Sequence, residues 1–400
     1  MTPSLLLVAG EASGDHHGAL LLSEMKRICP DLVCHAAGGP ALAEAGAKIV
    51  VPMDRLNVMG FFEVASRLPG VIASYRSLLA TVDREKIRTA VLIDFPDFNL
   101  LLARALKSRG VRIHYYVSPQ LWAWRKGRVR TIRRLVDHMF VIFPFEEPFY
   151  REHGVPVTYA GHPLLDEPFP EPQEKQALRE EFLGEAPKAP LVALAPGSRP
   201  GEIRRLYPRM LAALALLEKR IPGIRALVPV PPSVSDEVYR AIEKTVPHPP
   251  VIRISGRFRE VMAAADCALV TSGTATLETG LVGTPLVVVY VMNQGSYRLA
   301  RWLVDVPAIG MVNLVAGRMV APELIQEAAT PQAMADHLWS ILSDPSERTR
   351  ILADLERLRQ VLGGPGASAR IARAILERSG LCNPPSVPGS PKAPWSTTPP

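Results

Sequence analysis

The sequence predicts a two-domain α/β protein with a doubly wound parallel sheet in each domain. Short apolar runs alternate with longer amphipathic stretches through both halves of the chain, as they do in β–α–β units. The runs do not alternate with polar residues, so we expect both faces of each sheet to be buried. At 400 residues the chain also exceeds the size of one ordinary core.

The predicted strands form two groups on either side of a polar, proline-containing stretch. The first group comprises Leu5 to Ala9, Ala90 to Asp94, Ile113 to Val117, His138 to Phe143 and Val157 to Ala160, and the second Leu191 to Ala195, Arg225 to Pro229, Val251 to Ile254, Cys267 to Thr271 and Pro285 to Val291. We therefore predict an N-terminal domain over 1–168, a linker over 169–190 and a C-terminal domain over 191–362. A last helix within 363–382 can pack on either domain, with the N-terminal one as our prediction. The Pro-rich tail, 383–400, is expected to be disordered.

Composition narrows the setting and the partners. The net charge of +7 favours anionic partners, whether nucleic acid, phosphorylated metabolites or an acidic membrane surface. Four scattered cysteines without a C-x-x-C pair indicate neither a zinc site nor a disulfide framework, so a reducing cytoplasm fits best. The longest apolar stretch, around Leu281 to Met292, is shorter than the roughly 20 residues of a spanning helix.

The strongest motif follows the predicted strand that ends at Thr271. Ser272, Gly273 and Thr274 come next and open a helix that carries Glu278 one turn in. Backbone N–H groups at such a helix start bind anions, and glycine permits close approach, so we predict a diphosphate site. Glu278 is then placed to bind ribose hydroxyls. The alternative is that Ser272 and Thr274 only cap the helix and that Glu278 only complements the helix dipole.

A second turn of the same kind follows the first strand of the C-terminal domain. Ala195 is followed by Pro196, Gly197, Ser198 and Arg199. A guanidinium grips a diphosphate with two hydrogen bonds and stabilises the charge on a leaving group. We predict that role for Arg199, with a solvated surface arginine as the alternative.

In the N-terminal domain, carboxylates follow two strands. Asp94 ends its strand, and at a strand's carboxyl end it is placed to take a proton from an acceptor hydroxyl. Asp97, after Pro96, fits a helix N-cap equally well. After the first strand, Ser13, Gly14 and Asp15 either line an acceptor pocket or form an ordinary capped turn, because their spacing is not G-x-G-x-x-G.

Two further segments have open interpretations. Trp122 and Trp124 precede a basic run, Arg125 to Arg134. This segment suits binding to a nucleic acid, a phosphorylated lipid or an anionic membrane. The alternative is a solvated basic helix whose tryptophans are buried. An apolar stripe is typical of a core helix, but it also suits acyl chains or a bilayer interface. Its members are Phe61, Phe62, Val64, Leu68, Val71 and Ile72.

Taken together, these segments resemble the lipid-A-disaccharide synthase family, inverting glycosyltransferases of the GT-B fold with two Rossmann-like domains that face each other across a cleft. The match runs from about Leu5 to about Arg378. It rests on Gly10 to Asp15, Met59 to Val64, Asp94 to Asn99, Tyr116 to Arg125, Phe143 to Glu146, Gly161 to Pro163, Pro196 to Arg199, Ser272 to Glu278 and Asn313 to Gly317.

The resemblance implies transfer of 2,3-diacylglucosamine from UDP-2,3-diacylglucosamine to 2,3-diacylglucosamine 1-phosphate, giving the β-1,6 disaccharide of lipid A and UDP. It also implies that Asp94 is the general base and that Arg199, Glu278 and Asn313 contact UDP. Acceptor contacts are then expected from Ser13, Gly14, Asp15, Asp97, Asn99, Ser118, Trp124 and Arg125. The apolar stripe matches the family's membrane-facing segment. Members are peripheral proteins on the cytoplasmic side of the inner membrane, and some form homodimers.

Two predictions complete this interpretation. No D-x-D motif stands where a metal-dependent transferase needs one, so we expect neither metal nor cofactor, with the helix start and Arg199 balancing the leaving diphosphate. We expect no nucleic-acid partner. The alternatives are another GT-B enzyme of UDP sugars, such as a muropeptide glycosyltransferase or a UDP-N-acetylglucosamine epimerase, and a non-catalytic basic protein that binds lipid or RNA.

Overall fold

The computed structural model describes residues 2–56, 63–121, 126–184, 189–295, 297 and 307–382. The chain divides into two compact units. The first, here the N-unit, comprises Met1–Asp166 and the chain from Pro365 onward. The second, here the C-unit, comprises Glu167–Gly364.

Parallel strands form the sheet of the N-unit. They are β1 (Ser4–Ala9), β2 (Val33–Gly38), β3 (Lys48–Pro52), β4 (Thr89–Ile93), β5 (Arg112–Tyr116), β6 (His138–Val141) and β7 (Val157–Tyr159). Their order in the sheet is β3-β2-β1-β4-β5-β6-β7. The central strand β1 pairs with both β2 and β4, so the strand order reverses between β1 and β4.

The helices of the N-unit up to residue 166 cover this sheet. They are α1 (Ala12–Ile28), α2 (Pro40–Glu44), α3 (Glu63–Arg84), α4 (Pro96–Ser108), α5 (Val129–Leu135) and α6 (Glu146–Glu152), with 3-10 turns at Met53–Arg55, Lys126–Arg128 and Pro163–Asp166. Strand β4 is buried at every position, because helices lie on both faces. This explains why its sequence is an unbroken apolar run.

The C-unit repeats the plan. Its strands are β8 (Leu191–Ala195), β9 (Arg225–Val230), β10 (Val251–Ser255), β11 (Cys267–Thr271), β12 (Leu286–Tyr290) and β13 (Glu323–Ile325). The order β10-β9-β8-β11-β12-β13 again reverses next to the first strand, between β8 and β11. Its helices are α7 (Pro172–Leu183), α8 (Pro200–Glu218), α9 (Asp236–Glu243), α10 (Phe258–Ala264), α11 (Thr274–Val282), α12 (Met311–Ala316), α13 (Pro331–Ser343) and α14 (Pro345–Leu362), with a 3-10 turn at Gln326–Ala328.

These two sheets confirm the predicted α/β class with two doubly wound domains. Three strands were not predicted: β2, β3 and β13. Strand β3 lies at an edge and is mostly half-exposed or exposed, and β13 has only three residues. Neither gives the long apolar run that marks a central strand.

Residues 172–183, predicted to belong to a linker, form α7 instead. The helix is closed at its start by a capping box between Glu171 and Glu174 and packs against α10 within the C-unit. Glu and Gln are common in linkers, but both are also strong helix formers. Among the described helices, none combines the length and the apolar character that crossing a membrane requires.

The last described helix, α15 (Ala367–Ser379), belongs to the N-unit and packs along α1. The Asp166 carboxylate accepts hydrogen bonds from the backbone N–H groups of Gly366, Ala367 and Ser368, at 2.6–2.8 Å, and so holds the start of the helix. At its other end, Cys382 forms a disulfide with Cys29, which follows α1; the two Cα atoms are 6.2 Å apart. The expectation of no disulfide was therefore wrong, because two cysteines 353 residues apart meet only when α15 folds back. The tail, 383–400, lies outside the described residues.

Candidate active site

Strand order decides where each unit can hold a ligand. In open α/β sheets ligands bind beyond the carboxyl ends of the strands, where the strand order reverses and the flanking loops diverge. In the C-unit this point lies between the turns that follow β8 and β11, and in the N-unit between the turns that follow β1 and β4. The predicted residues Arg199, Ser272, Gly273 and Asp94 all lie on these turns.

The turn between β11 and α11 is built around Gly273, the residue that precedes the helix. Its φ of 143° is accessible to glycine alone. A Cβ there would meet no atom within 4 Å among the described residues, so backbone conformation, not crowding, requires the glycine. The Ser272 hydroxyl donates to the Ile309 carbonyl oxygen at 2.8 Å. Thr274 is exposed at the first helical position of α11.

Glu278 lies one turn into α11 and is half-buried. Its carboxylate accepts a 2.7 Å hydrogen bond from Nε of Arg259, on α10. Arg259 also pairs with Glu167 at 2.8 Å and lies over the Phe169 ring. No local sequence pattern points to Arg259, because its partners lie about 20 and 90 positions away in the chain. Glu278 is therefore held in one orientation by an arginine.

The turn between β8 and α8 presents Arg199 as an exposed side chain directly before the helix. Gly197 has φ 127°, and a Cβ there would lie 2.6 Å from a carboxylate oxygen of Glu202. Burial raises the pKa of Tyr290, at the end of β12, and the Glu202 charge adds to this, while Arg199 and Arg205 act in the opposite direction. Two arginines thus lie near one tyrosine at the carboxyl edge of the C-unit sheet.

Asn313, predicted to contact UDP, faces the protein interior. Its Nδ2 donates to the Ala321 carbonyl and to Glu323 at 2.8 Å each, and its Oδ1 accepts from the N–H groups of Val320 and Ala321. The Glu323 carboxylate in turn binds the N–H groups of Ile309 and Gly310. The side chain of Asn313 is thus occupied in supporting the segment whose Ile309 carbonyl contacts Ser272.

In the N-unit, Asp94 and Phe95 form a turn with an unusual backbone. Their φ angles are 44° and 47°, and Val117, which follows the neighbouring strand β5, has φ 60°. Left-handed conformations are uncommon in residues with a Cβ and concentrate at functional sites. Three of them at the ends of two paired strands mark this edge of the sheet.

The Asp94 carboxyl group is electrostatically perturbed. Burial, reinforced by the negative charge of Glu11, raises its pKa from 3.8 to about 6, although the Phe95 N–H partly opposes the shift. Glu11 precedes α1 at the end of the paired strand β1. A carboxylate whose pKa lies near neutrality is matched to accepting a proton.

Three residues predicted to contact the acceptor are instead occupied within the fold. The Asp15 carboxylate caps α2 through the N–H groups of Gly39 and Ala41, at 2.6 and 3.0 Å. The Ser118 hydroxyl is buried among Glu146, Tyr150 and the Pro119 carbonyl. Asn99 is fully buried and binds the carbonyl oxygens of Ile93 and Asp94. Of the other predicted contacts, Ser13 and Asp97 are exposed and Gly14 is buried.

An open cavity of about 230 Å³ adjoins this turn along α4. It is lined by Pro96, Asp97, Leu100, Leu101, Arg104, Arg128 and Thr131. Asp97 accepts a 2.6 Å hydrogen bond from Arg128, which comes from the predicted basic run. Leu101, one of the lining leucines, is 54% exposed. The cavity therefore has a mainly polar lining, which includes two guanidinium groups, beside two leucines.

The remaining predicted residues are only partly described. Val71 packs against the core, whereas Ile72 is 42% exposed. The backbones of Val64 and Leu68 belong to α3, but their side chains lie outside the described residues, as do Phe61, Phe62, Trp124 and Arg125 entirely.

Comparison with known proteins fits this architecture. The family model described as lipid-A-disaccharide synthetase matches residues 5–374. The lipid-A-disaccharide synthase of Syntrophus aciditrophicus (strain SB) is 46% identical over 373 residues, 93% of this chain and 97% of the relative. That of Myxococcus xanthus (strain DK1622) is 43% identical over 376 residues, 94% of this chain and 97% of the relative.

A solved structure supports the fold. The UDP-GlcNAc 2-epimerase of Neisseria meningitidis, bound to UDP-GlcNAc, aligns with a TM-score of 0.63 over 94% of this chain and 100% of its own, at 12% identity. At that identity the likeness shows the fold alone, and it agrees with the predicted GT-B class. The family match over residues 5–374, together with relatives that are 43–46% identical and covered over 97% of their own length, shows that this protein belongs to the lipid-A-disaccharide synthetase family.

Proposed function

We propose that the protein transfers 2,3-diacylglucosamine from UDP-2,3-diacylglucosamine to the 6-hydroxyl of 2,3-diacylglucosamine 1-phosphate, forming the β-1,6 disaccharide of lipid A and UDP. The observation that carries this proposal is Asp94, a carboxyl group with a pKa near 6 beside the reversal of strand order in the N-unit sheet, the place where open α/β sheets generally bind ligands. Family membership supplies the identity of the substrates.

In this mechanism Asp94 acts as the general base. Its ionised carboxylate removes the proton of the acceptor hydroxyl, and the hydroxyl oxygen forms a bond to the anomeric carbon of the donor. The bond from that carbon to the diphosphate oxygen breaks at the same time, so the electron pair leaves with UDP and the anomeric configuration inverts. Deprotonation requires a pH above the pKa of Asp94, about 6.

The C-unit binds the donor in this proposal. The helix start at Ser272 to Thr274 receives the diphosphate, with Gly273 allowing the close approach. Arg199 stabilises the negative charge that develops on the leaving group. Glu278, oriented by Arg259, binds the ribose hydroxyls. Asn313 supports the segment next to Ser272 and does not itself contact UDP.

The cavity along α4 is our proposed acceptor site. Arg104 and Arg128 suit the 1-phosphate, and Leu100 and Leu101 provide apolar contact for an acylated sugar. Asp97 shares Arg128 through a pair whose carboxylate is 78% exposed, so water weakens that pair and phosphate can compete for the arginine.

Replacing Arg104 or Arg128 with alanine is therefore expected to raise KM for the acceptor roughly tenfold or more, because a charge-assisted bond to phosphate is lost. KM for the donor is expected to stay within about twofold. Initial rates measured against each substrate separately test this. Arg112, exposed at the start of β5, gives the matched control as Arg112→Ala. Equal effects on both KM values, or none on either, would contradict the assignment.

We also propose that the protein acts as a peripheral protein at the cytoplasmic face of the inner membrane, through the apolar stripe that includes Ile72. Ile72→Glu is expected to weaken binding to vesicles containing anionic lipid at least severalfold, since it places a charge where an apolar side chain enters the interface. Vesicle sedimentation measures this. Leu352→Glu, at an exposed site of the C-unit, serves as control, and equal loss in both variants would argue against the stripe.

The activity itself is tested by incubating purified protein with both substrates and detecting disaccharide and UDP by mass spectrometry. We expect stoichiometric formation of the two products. Turnover is expected to persist in EDTA, because in this proposal the start of α11 and Arg199, not a divalent ion, stabilise the negative charge of the diphosphate. Absence of disaccharide would overturn the proposed function, and complete inhibition by EDTA would overturn its metal-free form.

A further inference from the structure

The turn that carries Asp94 is held in a conformation that its own residues disfavour. Asp94 and Phe95 are consecutive non-glycine residues with φ 44° and 47°. Asparagine and aspartate tolerate this region, but phenylalanine rarely adopts it. Such a turn persists only when contacts with the surrounding structure compensate for its strain.

Two buried side chains converge on one backbone atom of this turn. The Tyr115 hydroxyl donates to the Asp94 carbonyl oxygen at 2.6 Å. The Asn99 Nδ2 group donates to the same oxygen at 2.8 Å and to the Ile93 carbonyl at 3.1 Å. Tyr115 and Asn99 are both 0% exposed. Burial raises the pKa of Tyr115 above its ordinary value, so its hydroxyl keeps its proton and remains a donor across the working pH range.

A glycine on the neighbouring strand completes the arrangement. The Phe95 ring lies against Gly10, where a Cβ would come within 2.4 Å of the ring. Gly10 follows β1, the strand paired with β4. The ring therefore occupies the space that any side chain at position 10 would fill, so the observed position of Phe95 requires glycine there.

The turn also determines what the Asp94 carboxylate meets. In this conformation the Phe95 N–H group points back to the carboxylate and lowers its pKa, against the larger effects of burial and Glu11. If Asp94 moved to an ordinary extended or helical conformation, its side chain would leave this direction and lose that hydrogen bond. The direction of the carboxylate and its pKa thus depend on the same backbone geometry.

We propose that Tyr115 and Asn99 are positioning residues, which hold the Asp94 carbonyl so that the strained turn aims the carboxylate at the acceptor hydroxyl. This rests on the proposed function, in which Asp94 is the base. Neither residue touches the substrate in this proposal. Both act through the backbone of Asp94, which separates their role from that of a general base or a binding residue.

The test is Tyr115→Phe, which removes one oxygen and keeps the ring in the core. We expect kcat to fall roughly tenfold or more, because small displacements of a reacting group are costly, while KM for both substrates stays within about twofold. The acidic limb of the pH profile of kcat, centred near 6 in the unchanged protein, is expected to move upward by about half a unit or more as the Phe95 N–H contact weakens. The other titratable groups that act on Asp94 and Tyr115 are Glu11, which precedes α1, Asp97 on α4 and Tyr150 on α6, and this variant alters none of them.

The matched control is Tyr116→Phe, which removes a hydroxyl from the next residue of the same strand. Tyr116 is equally buried, but successive residues of a strand face opposite sides of the sheet. Its kcat and its pH profile are expected to match those of the unchanged protein. Asn99→Ala provides a second, independent variant, for which we expect the same fall in kcat and the same direction of the pH shift.

The outcomes separate this inference from the proposed function. If both Tyr115→Phe and Asn99→Ala melt at a lower temperature yet keep the kcat and pH midpoint of the unchanged protein, their role is structural only and the inference is overturned. If the Tyr116→Phe control shows the same loss as Tyr115→Phe, the effect is general to the sheet, which also overturns it. Activity of Asp94→Asn at the level of the unchanged protein would instead overturn Asp94 as the base, and the inference with it.

Discussion

Asp94→Asn is expected to lower kcat by roughly a thousandfold or more while leaving UDP binding unchanged. The substitution keeps the size of the side chain and its tolerance of the left-handed region, but an amide cannot accept the proton of the acceptor hydroxyl. General-base catalysis alone contributes about 10²–10⁴-fold. The measurements are single-turnover rates of disaccharide formation and, separately, UDP binding by calorimetry.

The same variant is expected to be more stable than the unchanged protein at pH 7.5. A carboxyl group whose pKa is raised from 3.8 to about 6 holds its proton longer in the folded state than in the unfolded chain. The free energy of unfolding therefore falls by at most about 3 kcal/mol as the pH rises from about 4 to 6. It stays at this lower value above pH 6. Asparagine removes this penalty, so the variant should gain about 1–3 kcal/mol above pH 6 and nothing below pH 4.

Thermal melting at pH 4 and pH 7.5 tests this sign. Asp97→Asn is the matched control, because Asp97 lies three residues away on the exposed side of α4. It should show no such gain at pH 7.5. A destabilised, inactive Asp94→Asn would mean that the carboxylate supports the fold, and its catalytic role would have to be reconsidered.

Arg199→Ala is expected to lower kcat/KM for the donor by roughly a hundredfold to a thousandfold, the range found when one group that stabilises developing charge is removed. Arg199 is exposed directly before α8 and anchors no described part of the fold through its side chain, so stability should change by less than about 0.5 kcal/mol. Arg199→Lys is expected to recover only part of the loss, because a lysine cannot form the planar pair of hydrogen bonds.

Arg204→Ala provides the control, since Arg204 is an equally exposed arginine on the first turns of α8. Steady-state kinetics with varied donor, together with a UDP binding measurement, gives the comparison. Similar losses in Arg199→Ala and Arg204→Ala would indicate a general effect of charge on this helix and would contradict a specific contact with the diphosphate.

The position of the site followed from the sequence, because strand ends can be read from apolar runs. Asp94, Arg199 and Gly273 each come at or just after such a run, and parallel strands bring these ends to one edge of a sheet. What the pattern did not give was side-chain direction. Asp15, Asn99 and Ser118 follow strand ends too, and Asn313 lies on α12, but all four bind groups within the fold.

The difference has a physical cause. Buried polar side chains need partners, and the partners of these residues are often remote in the chain. Asp15 binds the N–H groups at the start of α2, 24 to 27 residues away. Arg259, which orients Glu278 from 19 positions away, and the disulfide between Cys29 and Cys382 escaped prediction for the same reason.

The sequence by itself determined the α/β class, the two parallel sheets, the family and the turns on which the chemistry depends, since strand period, glycine and charge are local properties. Only the tertiary structure decided which of the polar residues at those turns remain open to a ligand. It also revealed that Asp94 lies in a left-handed turn whose carbonyl oxygen accepts hydrogen bonds from Tyr115 and Asn99. Burial and hydrogen bonding arise between segments that are far apart in the chain, and the pKa of Asp94 depends on both.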